Sequence, residues 1–183
     1  MANKYYSLDD ILTDGQKVPV TFNLTVPGMG YLDDNSTANA PIKEGTRLEL
    51  PLWMAEILAI SGVSEDTEDG FVTLGNPPQF ANKVLNALKS DATSVDLRSQ
   101  SAMFYRLAER WLSMVQDDDL ATVLLETLKK RAAELRDHAH NPRSALIGDQ
   151  QDFLGKLDET EVLLFRTAHD SSKEFKSWLN SVK

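Results

Sequence analysis

The stretch Phe71-Val72-Thr73-Leu74-Gly75-Asn76-Pro77-Pro78-Gln79-Phe80 separates two kinds of hydrophobic periodicity. On its N-terminal side, Phe71 to Leu74 reads as a last short strand. On its C-terminal side, Asn76 is placed to cap a helix with Pro77 at the first helical position, where a missing N–H is harmless. Phe80, Val84 and Leu88 then recur at i, i+4, i+8. Further towards the N-terminus, Val18, Val20, Phe22, Leu24 and Val26 alternate with polar or small residues, the period of a strand with one buried face. Thr46 to Leu50 alternates again, Pro51 opens a helix from Leu52 to Ile60, and Gly62 stops it. Ser7-Leu8-Asp9-Asp10 fits a capping box ahead of a short helix edged by Leu8, Ile11 and Leu12. Pro27-Gly28-Met29-Gly30 is a turn after which Tyr31-Leu32 starts another strand, while Asp33–Ala40 and the acidic Ser64–Gly70 read as loops.

Beyond the dividing stretch the pattern is helical throughout. One helix is expected over Leu97–Val115 and the next over Leu120–His138, with Asp117 to Asp119 at its positive end. Asn141-Pro142 breaks the chain. A final helix covers Gln151–Val182, with Phe153, Leu154, Leu157, Leu164, Phe165, Ala168, Phe175 and Leu179 on one side. The fold class is therefore α+β, mostly α. A small β-rich domain over residues 1–75 precedes an α-helical bundle domain over residues 76–183.

Charge changes at the same place as periodicity. Residues 1–75 hold 12 acids and 4 bases, whereas residues 76–183 hold 16 and 15. The whole chain carries a formal charge of -9, a balance that disfavours a stand-alone binder of phosphate backbones. The absence of cysteine removes disulfides, thiol nucleophiles, zinc fingers and iron–sulfur clusters together. No apolar run approaches the roughly 20 residues of a membrane span, and the first ten residues lack a signal-peptide core. The chain reads as intracellular and soluble.

No motif carries chemistry. Pro27-Gly28-Met29-Gly30 lacks the third glycine and following helix of a dinucleotide site, and neither a P-loop nor a G-x-S-x-G elbow is present. Asp117-Asp118-Asp119 suits helix capping better than magnesium. His138 and His140, two residues apart, point to different sides of a helix and make a poor metal pair. Lys129-Lys130-Arg131 reads as a solvated basic face. The expectation is no catalytic, metal or cofactor residue.

The apolar stripes are broad. Leu120, Val123, Leu124, Leu125, Leu128, Ala132 and Leu135 cover about 200° of one helix at about 100° per residue. Met103, Phe104, Tyr105, Leu107, Trp111, Leu112, Met114 and Val115 cover more than half of another. An ordinary amphipathic helix needs a little over 100°, so the excess points to a surface covered by partner chains.

The string Gly45-Thr46-Arg47-Leu48-Glu49-Leu50-Pro51-Leu52-Trp53-Met54-Ala55 carries a family resemblance. With Ser7-Leu8-Asp9-Asp10-Ile11-Leu12, Lys17-Val18-Pro19, Asp96-Leu97, Phe104-Tyr105 and Leu157-Asp158-Glu159-x-Glu161-x-x-Leu164-Phe165, it resembles the third partner-of-Sld-five family of the eukaryotic GINS complex. The resemblance spans nearly the whole chain. It implies a non-catalytic, nuclear subunit without cofactor, assembled with three sister subunits into a heterotetramer for DNA replication. It further implies association with the MCM hexamer and a Cdc-type cofactor as the replicative helicase, and with DNA polymerase epsilon through the complex. Contact with DNA is at most indirect, and a direct single-stranded DNA-binding subunit at the fork is the alternative. The motifs and stripes together nominate Leu50, Leu52, Trp53, Phe104, Tyr105, Trp111, Leu124, Leu128 and Phe165 as interface residues.

Overall fold

A computed structural model describes residues 6–33, 36–61, 70–140 and 148–181, the side chains of 148–151 excepted. The chain divides into two compact units, Met1–Pro78 and Gln79–Lys183. The expected acidic loop at Ser64–Gly70 lies outside the described residues except for Gly70, as do Gly62 and Asn141-Pro142.

In the first unit, α1 (Leu8–Asp14) is followed by β1 (Lys17–Phe22), β2 (Arg47–Pro51), α2 (Leu52–Ile60) and β3 (Val72–Leu74). The three strands form an antiparallel sheet in the order β2-β1-β3, with Val18 opposite Leu50, Val20 opposite Leu48 and Phe22 opposite Val72. The alternation read from the sequence is the buried face: Val18, Val20, Phe22, Leu50 and Val72 are all sealed, together with Leu52 and Ala55 of α2. Pro19 sits in the central strand without breaking it. Its carbonyl accepts from Gly75 N–H, so its missing donor faces the far end of β3 and leaves the β1–β2 ladder intact.

Pro51 closes β2 and stands at the N-cap of α2, whose range Leu52–Ile60 is the expected one. Two local expectations are corrected. The Tyr31-Leu32 pair belongs to a 3-10 turn, Gly30–Leu32, and β1 ends at Phe22, leaving Val26 in an isolated bridge with Ile42. Asn23 ends the strand. Its side-chain amide donates to Gly70 O and its Oδ1 accepts from Thr73 Oγ1, side-chain bonds of the kind that compete with a ladder. The two turn glycines serve the backbone: Gly28 has φ 74°, and a Cβ on Gly30 would lie 2.2 Å from Thr37 O.

The second unit comprises α3 (Asn82–Ser90), α4 (Leu97–Gln100), α5 (Phe104–Met114), α6 (Asp118–His140), α7 (Gly148–Gly155) and α8 (Glu159–Ser181). Three expected helices begin or divide differently. Pro78 keeps Pro77 out of the helical region, so a 3-10 turn over Pro78–Phe80 comes first and Ala81 is the N-cap of α3. The expected Leu97–Val115 helix divides at Ser101–Met103, where Ser101 Oγ accepts from Met103 N–H. The expected final helix divides at Lys156–Asp158. α6 and α8, of 23 residues each, pack along one another and span about 34 Å. Phe80 meets Phe104 edge to face at 5.6 Å; Leu88, Leu97, Leu107, Trp111 and Leu120 are buried in the same unit, and Leu157 packs with Leu135 and Phe153.

Replacing Gly30 by alanine forces Cβ against Thr37 O and Ala40 O, both main-chain atoms, and should cost about 1–3 kcal/mol. Urea unfolding checks it; an unchanged midpoint for Gly30→Ala refutes the close approach.

Candidate interaction surface

The structure separates the nine nominated interface residues into two groups. Leu50, Leu52, Phe104, Trp111 and Leu124 are buried within their own units. Leu50 and Leu52 fill the space between sheet and α2, and Phe104, Trp111 and Leu124 fill the helical core. This corrects the expectation that the broad stripes of the two central helices wait for foreign chains. Of the α6 stripe only Leu125 is exposed, at 54%, because several helices of the same unit surround it. Tyr105, Leu128 and Phe165 are half-buried, and Trp53 is exposed.

The deepest polar feature of the helical unit is Arg131, fully buried where a solvated residue was expected. All five of its N–H donors are used. Nε donates to Glu161 Oε1 at 2.7 Å and Nη2 to Glu161 Oε2 at 2.9 Å, a bidentate pair with no exposed surface on either side chain. Nη1 donates to Ala92 O and Val95 O at 2.8 and 3.0 Å, and Nη2 reaches Lys156 O at 3.4 Å. The Phe153 ring lies 5.2 Å from Arg131 Cζ, within cation–π range. One side chain on α6 thus holds the α3–α4 loop, the α7–α8 link, α7 and α8.

Glu161 is shared with a second device. Asp158 is the N-cap of α8: its Oδ1 accepts from Glu161 N–H at 2.8 Å while Glu161 Oε2 accepts from Asp158 N–H at 3.4 Å, a reciprocal capping box. Asp158 Oδ2 also accepts from Tyr105 N–H at 3.3 Å. It therefore serves the N-terminus of α5, whose own N-cap Met103 makes no side-chain bond. Tyr105 Oη completes the group by donating to Glu161 Oε1 at 3.2 Å. Burial, followed by the Glu161 charge, holds the Tyr105 hydroxyl protonated well above the ordinary phenol range. Burial pushes the Asp158 carboxyl up to about 6, against hydrogen bonds from Glu161 and Tyr105 that lower it.

These residues act on architecture, and the sequence held a signal for them. Leu124, Leu128, Arg131 and Leu135 follow one helical stripe at i, i+4, i+7, i+11, and Leu157, Glu161 and Phe165 follow another. A charge inside each of two apolar stripes, of opposite sign, marks a buried pair. Read only with Lys129 and Lys130, Arg131 looks like surface.

The other polar candidates have local partners. Asp117 Oδ1 accepts from Leu120 N–H at 2.9 Å, the capping role expected for the aspartate run. His138 lies 3.8 Å from Glu134, His140 Nδ1 is 3.3 Å from Ser172 Oγ, and His169 stacks on Phe165. Among the described residues no group of three or more candidate ligands is placed to hold a metal ion. No described helix is long and apolar enough to cross a membrane.

Apolar surface remains uncovered in both units. On α8, Leu164, Phe175, Trp178 and Leu179 are about half exposed, and the Phe175 and Trp178 rings stack at 6.1 Å. With Ala168 they follow one stripe at i, i+4, i+11, i+14, i+15. The α6-facing stripe of the same helix is polar here: Ser172 meets His140, and Lys176 Nζ donates to His140 O at the end of α6.

Comparison with known proteins agrees with this two-unit architecture. Residues 6–60 match the family model described as the PSF3 N-terminal domain, and residues 79–180 match that of the GINS complex protein helical bundle domain. The chain is 50% identical over 179 residues to the DNA replication complex GINS protein psf3 of Aspergillus fumigatus, covering 98% of both chains. It is 47% identical over 181 residues to the corresponding protein of Phaeosphaeria nodorum, covering 99% of this chain and 98% of that one. To that of Saccharomyces cerevisiae it is 38% identical over 191 residues, covering 96% and 97%.

Two outcomes test the buried group. Arg131→Met or Glu161→Leu alone should cost about 3–5 kcal/mol, because each strands a buried charge. The double variant should recover only part, since three main-chain carbonyls still lose their donor; full additivity in urea unfolding would deny the coupling. Asp158 has a raised folded-state pKa, so its contribution favours the fold most at low pH and is lost as pH rises from about 4 to about 6. The stability of wild type relative to Asp158→Asn should therefore fall across that window and level above it. A difference independent of pH would refute the assignment.

Proposed function

Because the chain belongs to the PSF3 family of GINS complex subunits, we propose that it is a non-catalytic structural subunit that assembles with three sister subunits into a heterotetramer. In that role it joins the MCM hexamer and a Cdc-type cofactor into the active replicative helicase, in initiation and elongation, and connects them through the complex to DNA polymerase epsilon. Its place of work is the nucleus.

The observation that carries the assembly role is the uncovered stripe Leu164, Ala168, Phe175, Trp178 and Leu179 on α8, within a unit whose α5 and α6 bury most of their apolar residues. Aromatic anchors of this type contribute about 2 kcal/mol or more each to an interface. Half-buried Leu128 and Phe165 lend further apolar surface. The buried Arg131–Glu161 pair supplies the rigidity that a docking helix needs. Nothing favours direct binding to single-stranded DNA: the chain is acidic overall, and one member of its basic run is committed to the interior.

Expressed alone, the chain should aggregate or be poorly soluble; co-expressed with the three sister subunits it should elute as one monodisperse complex. Phe175→Ser with Trp178→Ser should abolish co-purification while leaving the unfolding midpoint within a few degrees, since both rings are exposed. A well-behaved monomer without affinity for the sister subunits overturns the reading.

A further inference from the structure

The sheet of the first unit has the strand order β2-β1-β3, so its outer edges belong to β2 and β3. An unpaired edge presents main-chain donors and acceptors to any strand that matches them. β3 offers only three residues, Val72–Leu74, whereas β2 offers five, Arg47–Pro51.

Pro19 fixes which main-chain groups of β2 face outward. It lies opposite Glu49, has no N–H, and gives its carbonyl to Gly75 at the end of β3. The β1–β2 bonds therefore fall on the alternate residues, where Val18 is opposite Leu50 and Val20 opposite Leu48. The flanking bonds keep this phase: Leu52 N–H donates to Gln16 O, and Phe22 N–H to Thr46 O. The N–H and C=O groups of Arg47 and Glu49 consequently point away from β1, along the open edge. Among the described residues no strand meets them there. Both side chains are exposed on the solvent face, and Leu48 between them is half-buried on the face that Leu50 shares.

The order of the charges says what fits. Open edges are often guarded by charged side chains of one sign, which reject a second copy. β2 instead carries Arg47 and Glu49, one of each sign, two residues apart on one face. Antiparallel pairing with a second β2 about a two-fold axis through Leu48 sets each Arg47 opposite the other copy's Glu49. Each such pair exchanges both of its main-chain hydrogen bonds, and the Leu48 side chains meet at the axis. Sliding one strand by two residues in either direction brings like charges together, Arg47 on Arg47 or Glu49 on Glu49. The second slide also sets Arg47 opposite Pro51, which has no N–H to give. An edge that accepts its own sequence in one register is self-complementary in the manner of an isologous contact.

We propose that β2 is a homotypic docking edge, through which two copies of this chain, each within its own assembly, join their sheets. The contact is short, so the association is weak, with a dissociation constant on the order of 100 μM. The formal charge of -9 opposes approach at low salt, and physiological salt screens that repulsion beyond about 8 Å. The α8 row plays no part in it.

Because the chain has no cysteine, a single introduced thiol reports the pairing. At the axis the two Cβ atoms of residue 48 would stand about 4.5 Å apart, close enough for a disulfide. The test uses the full-length chain with Leu48→Cys in its four-subunit complex, or by itself should the α8 reading fail and leave it soluble. Oxidation should give a reducible product of two copies of this chain, whereas Thr73→Cys, exposed on β3, should give none. Arg47→Glu or Glu49→Arg, each added to Leu48→Cys, should lower the yield about tenfold. The two charge reversals together should restore it, because exchanging the charges keeps them complementary. These exposed positions should leave the circular dichroism spectrum and co-purification with sister subunits unchanged.

Absence of the two-copy product overturns the proposal, and so does a yield indifferent to the charge reversals, since collision alone would then explain it. A product joining residue 48 to a sister subunit overturns it in favour of a sister strand on this edge, as does loss of co-purification by the charge reversals. Should Leu48→Cys unfold the sheet, amide exchange of the wild type decides. Protection of the Arg47 and Glu49 N–H groups that grows with concentration supports the pairing; protection independent of concentration overturns it.

Discussion

The helical unit is organised around one buried ion pair. Arg131 and Glu161 come from the two longest helices, and neither side chain exposes any surface. Burying two charges is expensive, and their attraction compensates only when the remaining donors and acceptors are satisfied. That condition explains why the pair recruits so much of the unit. Arg131 takes the carbonyls of Ala92, Val95 and Lys156, and Glu161 takes the Tyr105 hydroxyl and the Asp158 N–H. The added partners come from three segments, the α3–α4 loop, the α7–α8 link and the first turn of α5, so satisfying the charge and fixing the arrangement of helices are one event. An apolar pair would pack at several angles; a bidentate guanidinium–carboxylate contact with five directed donors admits one.

Asp158 extends the constraint. A single carboxylate receives N–H groups from the first turns of α5 and α8, two positive helix ends that would otherwise be left to find separate partners. The helix break at Lys156–Asp158 is therefore a joint: Lys156 contributes a carbonyl to Arg131, and Asp158 restarts the chain as a cap. Burial raises the Asp158 pKa because so much structure surrounds it. A perturbed carboxyl often signals catalysis; here every group around it is spent on holding helices together.

With the interior so fully occupied, the apolar surface that remains gains meaning. The central helices α5 and α6 turn nearly all their apolar residues inward. Among the described residues, the large apolar side chains left outside include a helical row on α8 and rows on α1 and α2, with Leu125, Leu163, Tyr6 and Tyr31 standing apart from them. In the assembly we propose, the fold and the contacts rest on separate residues. Loss of a contact residue then removes a partner without unfolding the chain.

Local pattern determined a good deal. The period-2 run at Val18, Val20 and Phe22 fixed the buried face of the central strand, and Leu8, Ile11 and Leu12 lie along one edge of α1. Asp117 was identifiable as a cap, and the strings around Leu50 and Leu157 pointed to the family that the comparisons show. These are properties of neighbours in sequence: alternation, helical spacing and turn chemistry act over a few residues. Only the tertiary structure decided which side of a helix another helix covers. Trp111 and Leu124 looked like surface anchors because stripe width says how much is apolar, not what stands opposite. Arg131 looked solvated because its partner, Glu161, lies 30 residues away on another helix, and a charge in an apolar stripe has a physical meaning only once the opposite charge is seen to reach it.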